Sequence, residues 1–163
     1  MDIFDIVGKN FWLICLGFSA YNFIVNTRRL DAAPAYDESA RREAKAFLRG
    51  FATASALPWV VMGVGQLFGG IPTVWHYFRP QDGNPYVWAF IGAIFLESLL
   101  FAYWVHFRSG ASRIVNNRLF DLTGMRGNFQ WSERRVKLMA AVGPVFVMLW
   151  VLLLVFMDAP LPK

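Results

Sequence analysis

The stretch that decides the fold is YVWAFIGAIFLESLLFAYWVHF, residues 86–107. It is close to the length of about 20 apolar residues that a helix needs to cross a hydrocarbon core of about 30 Å. Backbone N–H and C=O groups cannot be left unpaired in lipid, and the alternation of a membrane β-strand is absent from the chain. This segment is therefore predicted to be a transmembrane helix.

Three more apolar segments have the same character. They cover residues 7–26, 47–70 and 136–157, and the first is the weakest because it contains Asn22 and Asn26. Only 17% of the residues are charged, against about 25% in average soluble domains, and the charges are bunched between the apolar segments. The sequence predicts an all-α integral membrane protein with a single domain, built as an antiparallel bundle of four transmembrane helices.

The lysines and arginines predict the orientation of this bundle. Thirteen of them lie in segments 28–49 and 108–137, and only three lie elsewhere. Basic connections stay in the cytoplasm, so the loops at 27–46 and 108–135 are predicted to be cytoplasmic and both termini to be outside. If the first segment lies along the interface instead, the N-terminus is cytoplasmic. We expect the membrane to be a bacterial inner (plasma) membrane.

Glu97 is the most informative candidate site residue, because a carboxylate at the bilayer centre costs roughly 3 kcal/mol even on lenient insertion scales. We expect it to be protonated and to face protein or water. Two interpretations stay open: a proton or cation site, or a hydrogen-bonded contact with another helix or subunit. The polar residues expected beside it or at similar depth are Ser98, Ser19, Asn22 and Ser55.

The basic connections carry the second candidate surface. Asp37 is predicted to cap a helix that continues into the second span. A short amphipathic helix is predicted to lie on the inner leaflet, formed by Ile114, Val115, Leu119, Phe120 and Leu122. Polybasic segments bind anionic surfaces. Docking of anionic inner-leaflet lipid or of an acidic partner is therefore predicted for Arg41, Arg42, Arg113 and Arg118.

Small residues and prolines mark the helix contacts. Gly65 and Gly69 have the GxxxG spacing that lets helices approach closely, although single matches are common in Gly-rich spans. Pro58 and Pro144 each remove one intrahelical hydrogen bond and are predicted to kink their helices. Packing is the favoured role for these kinks, with gating as the alternative.

Several kinds of site are not expected. The single cysteine, Cys15, excludes a disulfide framework and a thiolate metal cluster. His76 and His106 are predicted at opposite ends of the bundle, so they cannot be the two axial ligands of one haem. No catalytic triad, phosphate-binding loop or carboxylate pair is present, and the basic residues flank spans rather than forming a nucleic-acid-binding stripe. We expect no catalytic residue, cofactor, metal or nucleic acid.

The sequence thus favours a non-catalytic small integral membrane subunit or scaffold of a larger membrane assembly. Its expected partners are membrane lipids and other membrane subunits or further copies of the chain. The alternative is a homo-oligomeric channel or transporter that uses Glu97 as an intramembrane proton or cation site. A lipid-modifying enzyme ranks last, because Glu97 and His106 are separated by roughly 13 Å along one helix.

Overall fold

The computed structural model describes residues 3–33, 36–122 and 131–156, and within them the regular structure is entirely helical. Two short 3₁₀ helices, Val74–Phe78 and Pro80–Asp82, connect α2 to α3. The α-helices are α1 (Ile3–Ala32), α2 (Glu38–Phe68), α3 (Pro85–Phe107), α4 (Gly110–Asn116), α5 (Leu119–Leu122) and α6 (Glu133–Phe156). Four of these described helices, α1, α2, α3 and α6, are long and apolar enough to cross a membrane.

The four predicted spans are confirmed as helices; α1 is longer than predicted, and the second span continues the predicted helix capped by Asp37. α1 continues to Ala32 and α2 begins at Glu38, so most of the predicted connection at 27–46 is helical. The predicted cap is present, because the Asp37 carboxylate accepts a hydrogen bond from the Ala40 N–H at 2.7 Å. Met157, the predicted end of the fourth span, and residues 123–130 of the predicted second loop lie outside the described residues.

The long helices pack in sequence order as a row. α1 packs against α2, α2 against α3, and α3 against α6, while α1 and α6 make no comparable contact within the described ranges. Each outer helix buries one narrow stripe, which includes Gly8 and Leu30 on α1 and Val136 and Ala140 on α6. Most of the remaining apolar side chains of α1 and α6 are exposed.

The buried side chains form two separate cores, one near each end of the long helices. The basic-end core consists of Leu30, Ala44, Leu48, Val105, Ala111, Ile114, Leu119, Leu122, Val136 and Ala140. The loop-end core consists of Met62, Ile71, Val74, Tyr77, Val87, Phe90 and Ile91. The candidate polar residues of the spans belong to neither core.

The predicted amphipathic helix on the inner leaflet is wrong in two respects. Two short helices, α4 and α5, replace it, and the chain between them has a positive φ of 47° at Arg118. Ile114, Leu119 and Leu122 are at most 4% exposed, because α4 packs on α3 and α6 while α5 touches α1. Their apolar side chains therefore cover protein and not lipid.

The segment of α4 and α5 also connects the outer helices of the row, α1 and α6, at the basic end. The Tyr36 hydroxyl donates to the Arg118 carbonyl at 3.2 Å, and the Asn117 amide donates to Glu43 at 2.6 Å. Burial and the nearby Asp121 carboxylate raise the pKa of Tyr36, so its hydroxyl stays a donor. These bonds connect the start of α2 to a segment that packs on α6.

The connection between α2 and α3 contacts both outer helices, α1 and α6, at the opposite end of the bundle. The side chains of Trp75 and Thr73 lie close to Gly8 of α1, where an added Cβ would meet them at 3.2 and 3.3 Å. The ring of Phe78 lies 6.4 Å from that of Trp150 on α6, edge to face. The two outer helices are thus joined through the connections at both ends.

Candidate functional site

Glu97 lies on the face of α3 that meets α2. Phe90 and Trp104, each seven residues from Glu97, share this face because that spacing is two helical turns. The Phe90 ring lies 6.0 Å from Trp59 of α2, and the Trp104 ring lies 5.8 Å from Phe47 of α2. Glu97 is therefore directed toward α2 between two aromatic contacts.

The carboxylate oxygens of Glu97 accept no hydrogen bond and form no ion pair within the described part of the chain. The side chain is half-buried. A buried polar group without a partner is costly, and one at mid-membrane more so, because lipid supplies no donor. The environment therefore favours the neutral carboxyl, which can itself donate a hydrogen bond.

The structure does not pair Glu97 with the serines expected near it. Each serine hydroxyl bonds a carbonyl of its own helix, which is the nearest acceptor to a serine side chain in a helix. Ser19 donates to Cys15 at 3.0 Å, Ser55 to Ala52 at 3.2 Å and Ser98 to Phe95 at 2.7 Å. Asn22 is exposed on α1, which packs mainly against α2 within the described ranges.

Three of the expected polar residues meet in a groove between α1 and α2. This groove has a volume of about 380 Å³ and is open on one side. Its polar residues Ser19, Asn22 and Ser55 lie among mainly apolar ones: Cys15, Phe18, Phe23, Leu48, Phe51, Ala52 and Trp59. Neither Glu97 nor Ser98 lines it, so the predicted polar site divides into an α1–α2 groove and an α2–α3 contact.

Arg41 has a structural role that the sequence did not show. Its guanidinium donates to the carbonyls of Leu30 and Asp31 at 3.1 Å, and to those of Ala33 at 3.3 Å and Tyr36 at 3.5 Å. The last carbonyls of a helix have no intrahelical partner. Arg41 satisfies those of α1 from the first turns of α2, so it is not a freely accessible docking residue.

The other three predicted docking residues are exposed. Arg42, Arg113 and Arg118 form no ion pair with another described residue. The opposite end differs, because Lys9 pairs with Asp5 at 3.0 Å and Arg79 with Asp82 at 3.3 Å. Unpaired positive charge is therefore concentrated at the end where α4 and α5 lie.

The chain matches no model of a known protein family, no curated protein and no solved structure. Its function is therefore inferred from the residues described above.

Both histidines are engaged in local hydrogen bonds. His76 Nδ1 lies 3.1 Å from the Thr73 hydroxyl, and His106 Nε2 lies 3.1 Å from the Lys137 carbonyl of α6. Within the described residues, no group of three or more His, Cys, Asp or Glu side chains could hold a metal ion. These histidines anchor the connection between α2 and α3 and the contact between α3 and α6.

Proposed function

We propose that this protein is a non-catalytic integral membrane subunit that holds neighbouring membrane proteins and anionic lipid at the inner face of a bacterial inner membrane. The observation that carries the proposal is that, within the described ranges, the outer helices α1 and α6 each pack mainly on one long helix, which leaves the rest of their surface open to other subunits. Each contributes one stripe to the fold and leaves most of its large apolar side chains exposed. The exposed Arg42, Arg113 and Arg118 add a positively charged surface at the basic end of the long helices, which attracts anions.

The deciding experiment is the mass of the intact particle after gentle extraction from its native membrane. We expect co-purifying foreign membrane proteins, with the particle heavier than the 18.6 kDa chain by amounts that are not multiples of it. A particle containing this chain alone, as one copy or as several, would contradict the subunit proposal. The matched control is the same extraction with an unrelated tagged membrane protein, which must not bring down the same partners.

A homo-oligomeric channel or transporter using Glu97 is the second candidate. The half-buried Glu97, which has no ion pair within the described residues, favours it. Because the four long helices form a row that encloses little space, a conduction path would need several copies of the chain. Multiples of 18.6 kDa, together with proton flux in vesicles that Glu97→Gln abolishes, would put this candidate in first place.

We propose an antiparallel arrangement with both termini outside. Phe47 contacts Trp104 and the later α2 residue Trp59 contacts the earlier α3 residue Phe90, which supports opposite directions for these two helices. The imbalance of thirteen to three in lysine and arginine supports a cytoplasmic location for the α4–α5 end.

Cysteine labelling tests this orientation. In a Cys15→Ser background, Gln81→Cys places a thiol in the connection between α2 and α3, and Asn116→Cys places one on α4; both positions are exposed. In spheroplasts, a membrane-impermeant maleimide is expected to label Gln81→Cys at once and Asn116→Cys only after permeabilisation. The reverse pattern would invert the topology.

A further inference from the structure

Pro58 leaves one backbone carbonyl of α2 without its usual donor. It is buried inside α2, and proline has no N–H to donate to the carbonyl four residues earlier, that of Ala54. In a membrane such a freed carbonyl is satisfied by a neighbouring helix, a side chain, an ordered water or a local change of helix geometry. The Ala54 carbonyl can therefore accept a hydrogen bond from a group outside α2.

Two contacts set the register between α2 and α3. The Phe47 ring of α2 lies 5.8 Å from that of Trp104 on α3. Eighteen residues further along α2, a Cβ added to Gly65 would meet the Cβ of Tyr86 at 2.9 Å. Tyr86 lies eighteen residues before Trp104, so the same register holds along the whole contact.

Counting inward from these contacts brings Ala54 opposite Glu97. Ala54 follows Phe47 by seven residues, and Glu97 precedes Trp104 by seven, which keeps each residue on its contact face. Four residues further on, the buried Pro58 comes opposite Ala93, which is 8% exposed. The methyl side chain of Ala54 leaves room for the longer glutamate to approach the α2 backbone.

We propose that the neutral carboxyl of Glu97 donates a hydrogen bond to the Ala54 carbonyl that Pro58 leaves free. Each group is costly alone in hydrocarbon, and the one bond satisfies both. The carboxylate oxygens accept no hydrogen bond from the described residues, which fits a group that acts as a donor. The bond joins α2 to α3 between the two cores, whatever proteins the chain assembles with.

A double-mutant cycle between Glu97 and Pro58 tests the bond. In detergent, Glu97→Leu is expected to lower the Tm by about 2–5 °C, as the loss of one interhelical hydrogen bond does. Glu97→Gln retains an amide donor and is expected to keep most of the parent Tm. Pro58→Ala restores the helical donor to the Ala54 carbonyl, so Glu97→Leu should cost clearly less in that background. An equal cost in both backgrounds would overturn the proposal.

Pro144 supplies the matched control, since it frees the Ala140 carbonyl in α6 in the same way. In a Pro144→Ala background, Glu97→Leu should lower the Tm as much as in the parent. If its cost falls there too, the coupling with Pro58 is not specific and the proposal fails.

Infrared difference spectra decide the case even if Glu97→Leu does not fold. The parent should show a neutral-carboxyl C=O band that Glu97→Gln removes. Pro58→Ala should move this band to higher frequency, because the carboxyl loses its acceptor. A parent spectrum without the band, or a band unmoved by Pro58→Ala, would overturn the proposal.

Discussion

Gly65→Ala is expected to lower the free energy of unfolding by about 3 kcal/mol, which combines overpacking with the loss of a buried hydrogen bond. A Cβ at Gly65 would collide with the Tyr77 hydroxyl and lie 2.9 Å from the Cβ of Tyr86. That hydroxyl donates to the Met62 carbonyl at 2.8 Å, and Tyr77 is fully buried. Burial raises the pKa of Tyr77 to about 12, so the phenol remains a donor at neutral pH.

Gly92→Ala is the matched control, because Gly92 lies in α3 and nothing is within 4 Å of its added Cβ. It is expected to leave stability unchanged or raise it by up to about 1 kcal/mol, the helix-propensity difference between glycine and alanine. Reversible unfolding in mixed detergent measures both variants. Equal stability of Gly65→Ala and Gly92→Ala would show that the α2–α3 contact is looser than described.

Arg41→Gln is expected to lower the free energy of unfolding by about 1–3 kcal/mol, since hydrogen bonds to charged groups are worth roughly this much. Glutamine is too short to join the four carbonyls that the guanidinium reaches, two at the end of α1 and two in the connection to α2. Arg42→Gln is the adjacent control and is expected to change stability by less than about 0.5 kcal/mol, as exposed positions do. Thermal unfolding in detergent measures both.

For the retention of anionic lipid we expect the reverse order: Arg42, Arg113 and Arg118 matter, and Arg41 does not. Replacing Arg42, Arg113 and Arg118 together with glutamine is expected to reduce the anionic lipid that co-purifies, because each basic residue near an anionic surface contributes about 1 kcal/mol. Arg41→Gln, in its folded fraction, should retain parental lipid. Lipid mass spectrometry gives the comparison. Unchanged lipid in the triple variant would leave these arginines as orientation signals alone.

Much of the fold could be predicted from local sequence. Apolar length identified the four spans, and Asp37 identified the start of α2, because both signals lie within the segment that they describe. The true end of α1 could not be read in this way. It depends on Arg41, which reaches back from the next helix to carbonyls of Leu30 and Asp31.

The site was less accessible to prediction. The seven-residue spacing of Phe90, Glu97 and Trp104 places them on one face of α3. Hydropathy does not show which neighbouring helix covers that face. The sequence indicates polar side chains, such as Ser19, as partners of Glu97, whereas the proposed acceptor is a backbone carbonyl that Pro58 leaves without its helical donor. The α4–α5 segment was recognised as amphipathic, yet its apolar side could have met either lipid or protein.

Because α1 and α2 are longer than the hydrocarbon core is thick, we expect one part of the chain to be stabilised in lipid and another part beside water. At 1.5 Å per residue they are about 45 Å long, against about 30 Å of hydrocarbon. In the orientation proposed above, we expect this excess length, with α4 and α5, to place much of the basic-end core beside water, where entropy-driven burial supports it. Contacts deeper in the bilayer gain nothing from leaving lipid and depend on close packing. We therefore expect cooling and urea to weaken the basic end first.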